Sequence, residues 1–140
     1  MAPYTLLFAA QIFVVSWTAQ GYNEAYQQSL ESGKPLLVLV GADWCGACQV
    51  MKTRVMPELE QEGVFKDIHC AQLDLSKDAA LAKRVSKTKT IPCLILFTKT
   101  DDKWQRRELT GMHNRKSVEA FLAKYTAEEV ASRTTQKNPR

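Results

Sequence analysis

Cys45 and Cys48 are the residues whose type and spacing most directly carry chemistry in this chain. They lie in Trp44-Cys45-Gly46-Ala47-Cys48, shortly after the apolar run Leu36-Leu37-Val38-Leu39-Val40. Two cysteines with two residues between them can close a small disulfide. They can also trap a mixed disulfide with another protein.

The apolar run reads as a buried strand and residues 49–55 as a helix, so the pair falls at a strand-to-helix junction. A thiol reacts only as the thiolate. At the first turn of a helix, unpaired backbone N–H groups point at the sulfur and stabilise its charge. That lowers the pKa below the value of about 8.5 for a free cysteine. Cys45 is therefore the attacking thiol. The i, i+3 spacing puts Cys48 on the same helical face one turn deeper, as the resolving thiol that releases a bound substrate. Gly46 lets a partner backbone approach closely, and Trp44 reads as a partly exposed cover of the site. A second segment belongs with the first: Thr90-Ile91-Pro92 opens another apolar strand. Proline is tolerated at a strand start because it need not donate there. A cis Ile91–Pro92 bond would leave the Ile91 backbone free to bond an extended substrate chain.

Other readings of these residues stand beside this one. The pair could be a structural disulfide, or it could bind zinc with His69, Cys70 and Cys93 completing the site. No second pair has ligand spacing, however, and the strand positions of Cys70 and Cys93 suit core packing. Cys93, beside the expected site, is either core or able to exchange with the pair. The expected metal and cofactor content is none.

The elements that must position the pair follow from pattern. Tyr22–Ser32 has helical spacing at Tyr22, Ala25, Tyr26, Ser29 and Leu30, with Gly33 and Pro35 as stops. Residues 36–42 form a central strand, apolar on both faces. The helix opening at Cys45 runs to about Val55, where Pro57 breaks it before a short piece at 58–62. Residues 68–75 read as a strand and Ala79–Val85 as a helix capped by Asp78. Residues 93–98 and 104–109 make a hairpin across the polar turn Thr100-Asp101-Asp102-Lys103. Asn114 caps a last helix whose face is Val118, Phe121, Leu122 and Tyr125. The alternation predicts parallel pairing with an antiparallel edge from the hairpin, in a mixed sheet with helices on both faces. Residues 127–140 read as a polar, frayed C-terminal tail.

Composition bounds the rest. The 140 residues suit one domain with a real core. The formal charge of +4 comes from 19 basic and 15 acidic residues spread along the chain. That is a solvated surface and not the basic footprint of a nucleic-acid binder. Four cysteines are too few for a disulfide framework. Residues 1–20 read as an export signal with a small-residue cut near Thr18-Ala19-Gln20-Gly21, although no Lys or Arg precedes the apolar core. The alternative is that residues 12–17 are a first strand of the domain.

Trp-Cys-Gly-Ala-Cys after a buried strand, followed about 44 residues later by Ile91-Pro92, resembles the thioredoxin superfamily. The resemblance covers residues 17–125 and includes Lys34-Pro35, Asp74 at a strand end and Gly111 after the last strand. It implies an α/β thioredoxin fold over residues 21–126, a cis proline at Pro92, and exchange of disulfides in protein substrates. Lys34-Pro35 and the helix break at Pro57 resemble the small exported members of that superfamily. There are departures. Ala47 stands where thioredoxin has proline, and Cys93 where threonine follows the cis proline. Leu39 stands where it has a buried aspartate, and Gln72 where a lysine partners that aspartate. The proton of Cys48 must then move through water or another group. The expected function is a protein thiol–disulfide oxidoreductase, a monomer working on protein thiols with a membrane or soluble electron-transfer partner. The alternatives are a thioredoxin-like binding or chaperone module and a dedicated redox subunit.

Overall fold

The structure, a computed structural model, describes residues 17–136. Most of the 1–20 leader and of the alternative first strand at 12–17 lies outside the described residues. Trp17 itself is in coil, and the first strand pairing begins three residues later. The elements run β1 (Gln20–Gly21), α1 (Tyr22–Ser32), β2 (Leu36–Gly41), α2 (Gly46–Val50), a π-helical turn (Met51–Val55), α3 (Met56–Gln61), β3 (His69–Asp74), α4 (Ala79–Val85), β4 (Cys93–Thr100), β5 (Lys103–Thr110) and α5 (Arg115–Gln136). The five strands form one sheet in the order β1-β3-β2-β4-β5.

β2 lies in the middle because residues Leu36 to Val40 are apolar without interruption and all five are buried. Leu37 and Leu39 face Met51, Met56, Leu59, Val118 and Leu122 on one side of the sheet. Leu36, Val38 and Val40 face Ala25, Ala82, Val85 and Ile95 on the other. Local chemistry ends the flanking helices as expected. Gly33, at φ 71°, stops α1 and donates its N–H to the Ser29 carbonyl at 2.9 Å. The Asp78 carboxylate accepts the Leu81 N–H at 3.0 Å and the Asn114 side chain accepts the Ser117 N–H at 2.9 Å. The β4–β5 hairpin turns on Asp101 and Asp102, both at positive φ, as a two-residue turn of this hand requires.

Three expectations are corrected. Pro57 does not break the helix, because a π turn precedes it. The Met56 N–H bonds the Met51 carbonyl five residues back. Widening the helix by one residue just before Pro57 carries the chain past a residue with no N–H to give and a ring that crowds the preceding turn. Strand β4 runs antiparallel to β2 as well as to β5; only β1–β3 and β2–β3 are parallel. The seven residues of α4 rise only about 10 Å, against about 20 Å for a six-residue strand. The register shows the chain re-entering the sheet at the end where β3 left it, with Asp74 beside Gly41 and Cys93 beside Val40. Finally, α5 continues to Gln136 through the stretch read as a frayed tail. Ala127, Glu128, Glu129 and Ala131 include strong helix formers, and no Gly or Pro intervenes before Pro139. No helix among the described residues is long and apolar enough to cross a membrane.

Candidate active site

The turn after β2 delivers Cys45 to the N-cap of α2. Its backbone is extended (φ −93°, ψ 109°), and its sulfur accepts the Cys48 N–H at 3.2 Å. The Cys45 N–H is tied back to the Ala42 carbonyl at 3.1 Å, and the Cys45 carbonyl accepts the Gln49 N–H at 3.1 Å. An N-cap sulfur in this position receives the positive end of the backbone dipoles, the interaction that favours a thiolate. Cys45 and Cys48 are joined as a disulfide with their Cα atoms 5.2 Å apart, inside the usual span. The two sulfurs are unequal: Cys45 is half-buried, whereas Cys48 is 4% exposed. An incoming thiol or disulfide therefore meets Cys45.

Gly41 shapes the floor. A Cβ there would stand 3.0 Å from the Cys48 Cβ and 3.1 Å from its sulfur. The last residue of β2 is glycine because Cys48 packs against its backbone. Gly46 is different: nothing lies within 4 Å of a Cβ placed there, and the residue is exposed. Trp44 is 76% exposed beside the disulfide. The β2–β4 register pairs Val40 with Cys93, which brings Pro92 level with Gly41 at the same sheet end as the disulfide. The Ile91–Pro92 bond is cis, Pro92 is buried and Ile91 half-buried. The Gly111 N–H donates to the Pro92 carbonyl at 2.7 Å and anchors this segment. Trp44, Gly46, Ile91 and Pro92 thus gather with the cysteine pair at one end of the sheet.

The other two cysteines are not brought to the pair. Cys70 packs with the core on the Trp17 side of the sheet and Cys93 with the opposite face. Burial first, and Glu60 second, push the Cys70 thiol up to about 12, against a smaller opposing pull from the Trp17 indole. Burial first, and Glu108 second, push Cys93 up to about 11, opposed by Arg106 and Ser86. Both are inert thiols at neutral pH. His69 bonds the Ser32 hydroxyl at 2.9 Å. Among the described residues no three of His, Cys, Asp and Glu converge to hold a metal ion.

A polar chain flanking the site was not legible beforehand. The Asp43 N–H donates to the Ser76 hydroxyl at 3.2 Å, and the Ser76 N–H to the Asp74 carboxylate at 2.7 Å. Burial pushes the Asp74 carboxyl up, but the Ser76 N–H, the Asp43 side chain, the Ser76 hydroxyl and Lys77 together hold it below its usual value. The sequence signal for it was only an acid at a strand end.

A mixed five-stranded sheet with a disulfide across the first turn of the helix that follows its central strand defines a thioredoxin fold carrying a thiol–disulfide redox site. The chain belongs to the thioredoxin-like family, whose profile matches residues 16–99. A thioredoxin-like protein of Synechocystis sp. is 38% identical over 68 residues, which is 47% of this chain and 60% of that protein. The match thus spans less than two thirds of the relative's length. Among solved structures, the thioredoxin of Thermus thermophilus aligns at a TM-score of 0.70 with 18% identity, covering 89% of this chain and 98% of its own; this likeness is one of fold. An asparagine-to-glutamine variant of the thioredoxin of Halobacterium salinarum aligns at 0.57 with 26% identity, covering 77% and 88%.

Proposed function

We propose that this protein exchanges disulfides with protein substrates through Cys45 and Cys48, with Cys45 as nucleophile and Cys48 as resolving thiol. The observation that carries the reading is the asymmetry of the disulfide: a reachable Cys45 capping a helix, bonded to a Cys48 that substrate cannot touch. Trp44, Gly46 and the Ile91–Pro92 segment form the surface that takes the substrate backbone. The acceptors and donors are protein thiols and disulfides, and a membrane or soluble electron-transfer partner resets the pair. The test is reduction of insulin by the dithiol form with the Cys45–Cys48 disulfide as product. Failure to turn over any protein disulfide, together with failure of the oxidised form to oxidise a dithiol peptide, contradicts the reading.

The apolar N-terminal segment supports an exported protein. The packing of Trp17 favours a leader that ends before it. Its side chain is 7% exposed and packs on Phe65 with ring centroids 6.4 Å apart, while the Thr18 N–H donates to the Glu60 carboxylate at 3.0 Å. A cut at 18–21 would strip a core residue, so cleavage at or before Ser16 is expected. Sequencing the N-terminus of protein recovered from an exporting host checks this; a mature chain starting after Trp17 contradicts it.

A further inference from the structure

Cys48 must lose a proton before it can resolve a mixed disulfide, and it does so from a buried position. Leu39, which lines the same cleft, is 4% exposed and cannot take a proton. Burial holds a thiol neutral and is the largest cause of the raised Cys70 and Cys93 values. Cys48 differs from those two in lining a cleft of about 30 Å³ together with Gly41, Asp43, Lys52, Gln72 and Asp74. That volume admits a water, which needs roughly 10–15 Å³ and two or more polar partners. Gln72 pairs with Leu39 across the β2–β3 ladder and contributes a neutral amide to the wall.

The charges around this cleft are opposed. Asp43 and Asp74 lie on the loop after β2 and at the end of β3, and Asp74 is held ionised at neutral pH. The Asp74 carboxylate disfavours a second negative charge at Cys48. Lys77 favours the Asp74 carboxylate and is not among the residues that line the cleft. Lys52, four residues after Cys48 and on the same side of the helix, is the cation among the lining residues.

We propose that Lys52 is the positioning residue that makes Cys48 a competent resolving thiol. Its ammonium, on the cleft that Cys48 lines, favours the Cys48 thiolate, and the cleft lets the proton leave to solvent. The inference rests on the disulfide-exchange reading above. In the resolving step the Cys48 thiolate attacks the Cys45 sulfur of the mixed disulfide. The bond from Cys45 to the substrate sulfur breaks and the Cys45–Cys48 bond forms. The substrate sulfur leaves with the electron pair as a thiolate and takes a proton from solvent. The cysteine pair is oxidised by two electrons and the substrate disulfide, taken over both steps, is reduced by the same two. The proton lost by Cys48 is released through the cleft.

The test is the pH profile of resolution. Reduced protein is loaded at Cys45 with 5-thio-2-nitrobenzoate, and release of the coloured thiol is followed by stopped flow across the alkaline and neutral range. An opposite charge nearby shifts a pKa by about one unit or more. Lys52→Met and Lys52→Gln are therefore expected to raise the midpoint by about one unit and slow release about tenfold at neutral pH. Lys52→Glu raises it further, and Lys52→Arg keeps the wild-type profile. Packing alone would not order the variants by charge. Unchanged midpoints in the Met, Gln and Glu variants overturn the inference while leaving disulfide exchange intact. Absence of release from the wild-type adduct overturns the exchange reading itself.

Discussion

Cys45→Ser is expected to abolish disulfide exchange, with a loss of at least about 10⁴-fold of the kind that follows removal of a nucleophile. The serine keeps the N-cap hydrogen bond that the sulfur now accepts from the Cys48 N–H, so the fold survives and the loss is chemical. Cys48→Ser behaves differently. The first step is preserved, because Cys45 keeps its exposure and its place at the helix start. The second is blocked, because Cys48 is the thiol disulfide-bonded to Cys45. Mixed disulfides at Cys45 should then accumulate with protein substrates and appear as reductant-sensitive adducts on non-reducing gels. Equal turnover by Cys45→Ser and the wild type would contradict the assignment. Adducts formed by Cys45→Ser and not by Cys48→Ser would reverse the two roles.

Trp17→Ala is expected to cost about 3–5 kcal/mol of stability, the range for deleting a buried Trp or Phe side chain. Trp17 packs in the core cluster against Phe65, so its loss leaves a cavity the surroundings close only in part. Its indole N–H has no hydrogen-bond partner, although it lies near enough to the Cys70 sulfur to favour that thiolate. Trp17→Phe should therefore cost much less, under about 1.5 kcal/mol, since most of the packing is kept and an unsatisfied polar group goes. Urea denaturation of residues 17–140 measures both. A Trp17→Ala variant as stable as the wild type would show that the domain begins after Trp17.

The parts of the fold that could be read from the sequence were those set by short-range chemistry. Gly33, Asp78 and Asn114 end or start helices through their own backbone freedom or side-chain oxygens, and each does so. The β2 run is buried on both faces because nothing in it tolerates water. The cysteine spacing placed Cys45 at the helix start and Cys48 beneath it for the same local reason. What could not be read depended on partners distant in sequence. The direction of β4 is set by its pairing with β2, more than fifty residues earlier, and the passage of the helix across Pro57 follows from a π turn with no compositional mark. Helicity through 127–136 was hidden by its polar composition, which by itself distinguishes neither a solvated helix from a tail nor their lengths. Trp17 looked like the end of a leader, and only its contact with Phe65 makes it core. At the site, Gly41 and Lys52 acquire meaning from Cys48 across the strand–helix junction, which no linear spacing announces.

The central claim is that Cys45–Cys48 is a working redox couple and not a structural staple. Equilibrating the protein with glutathione buffers of graded potential, then trapping and weighing the peptide that holds both cysteines, measures it directly. A working pair interconverts as a two-electron couple with a midpoint between about −270 and −120 mV, the span of proteins that exchange disulfides for a living process. A midpoint below about −300 mV, where structural disulfides lie, would contradict the account.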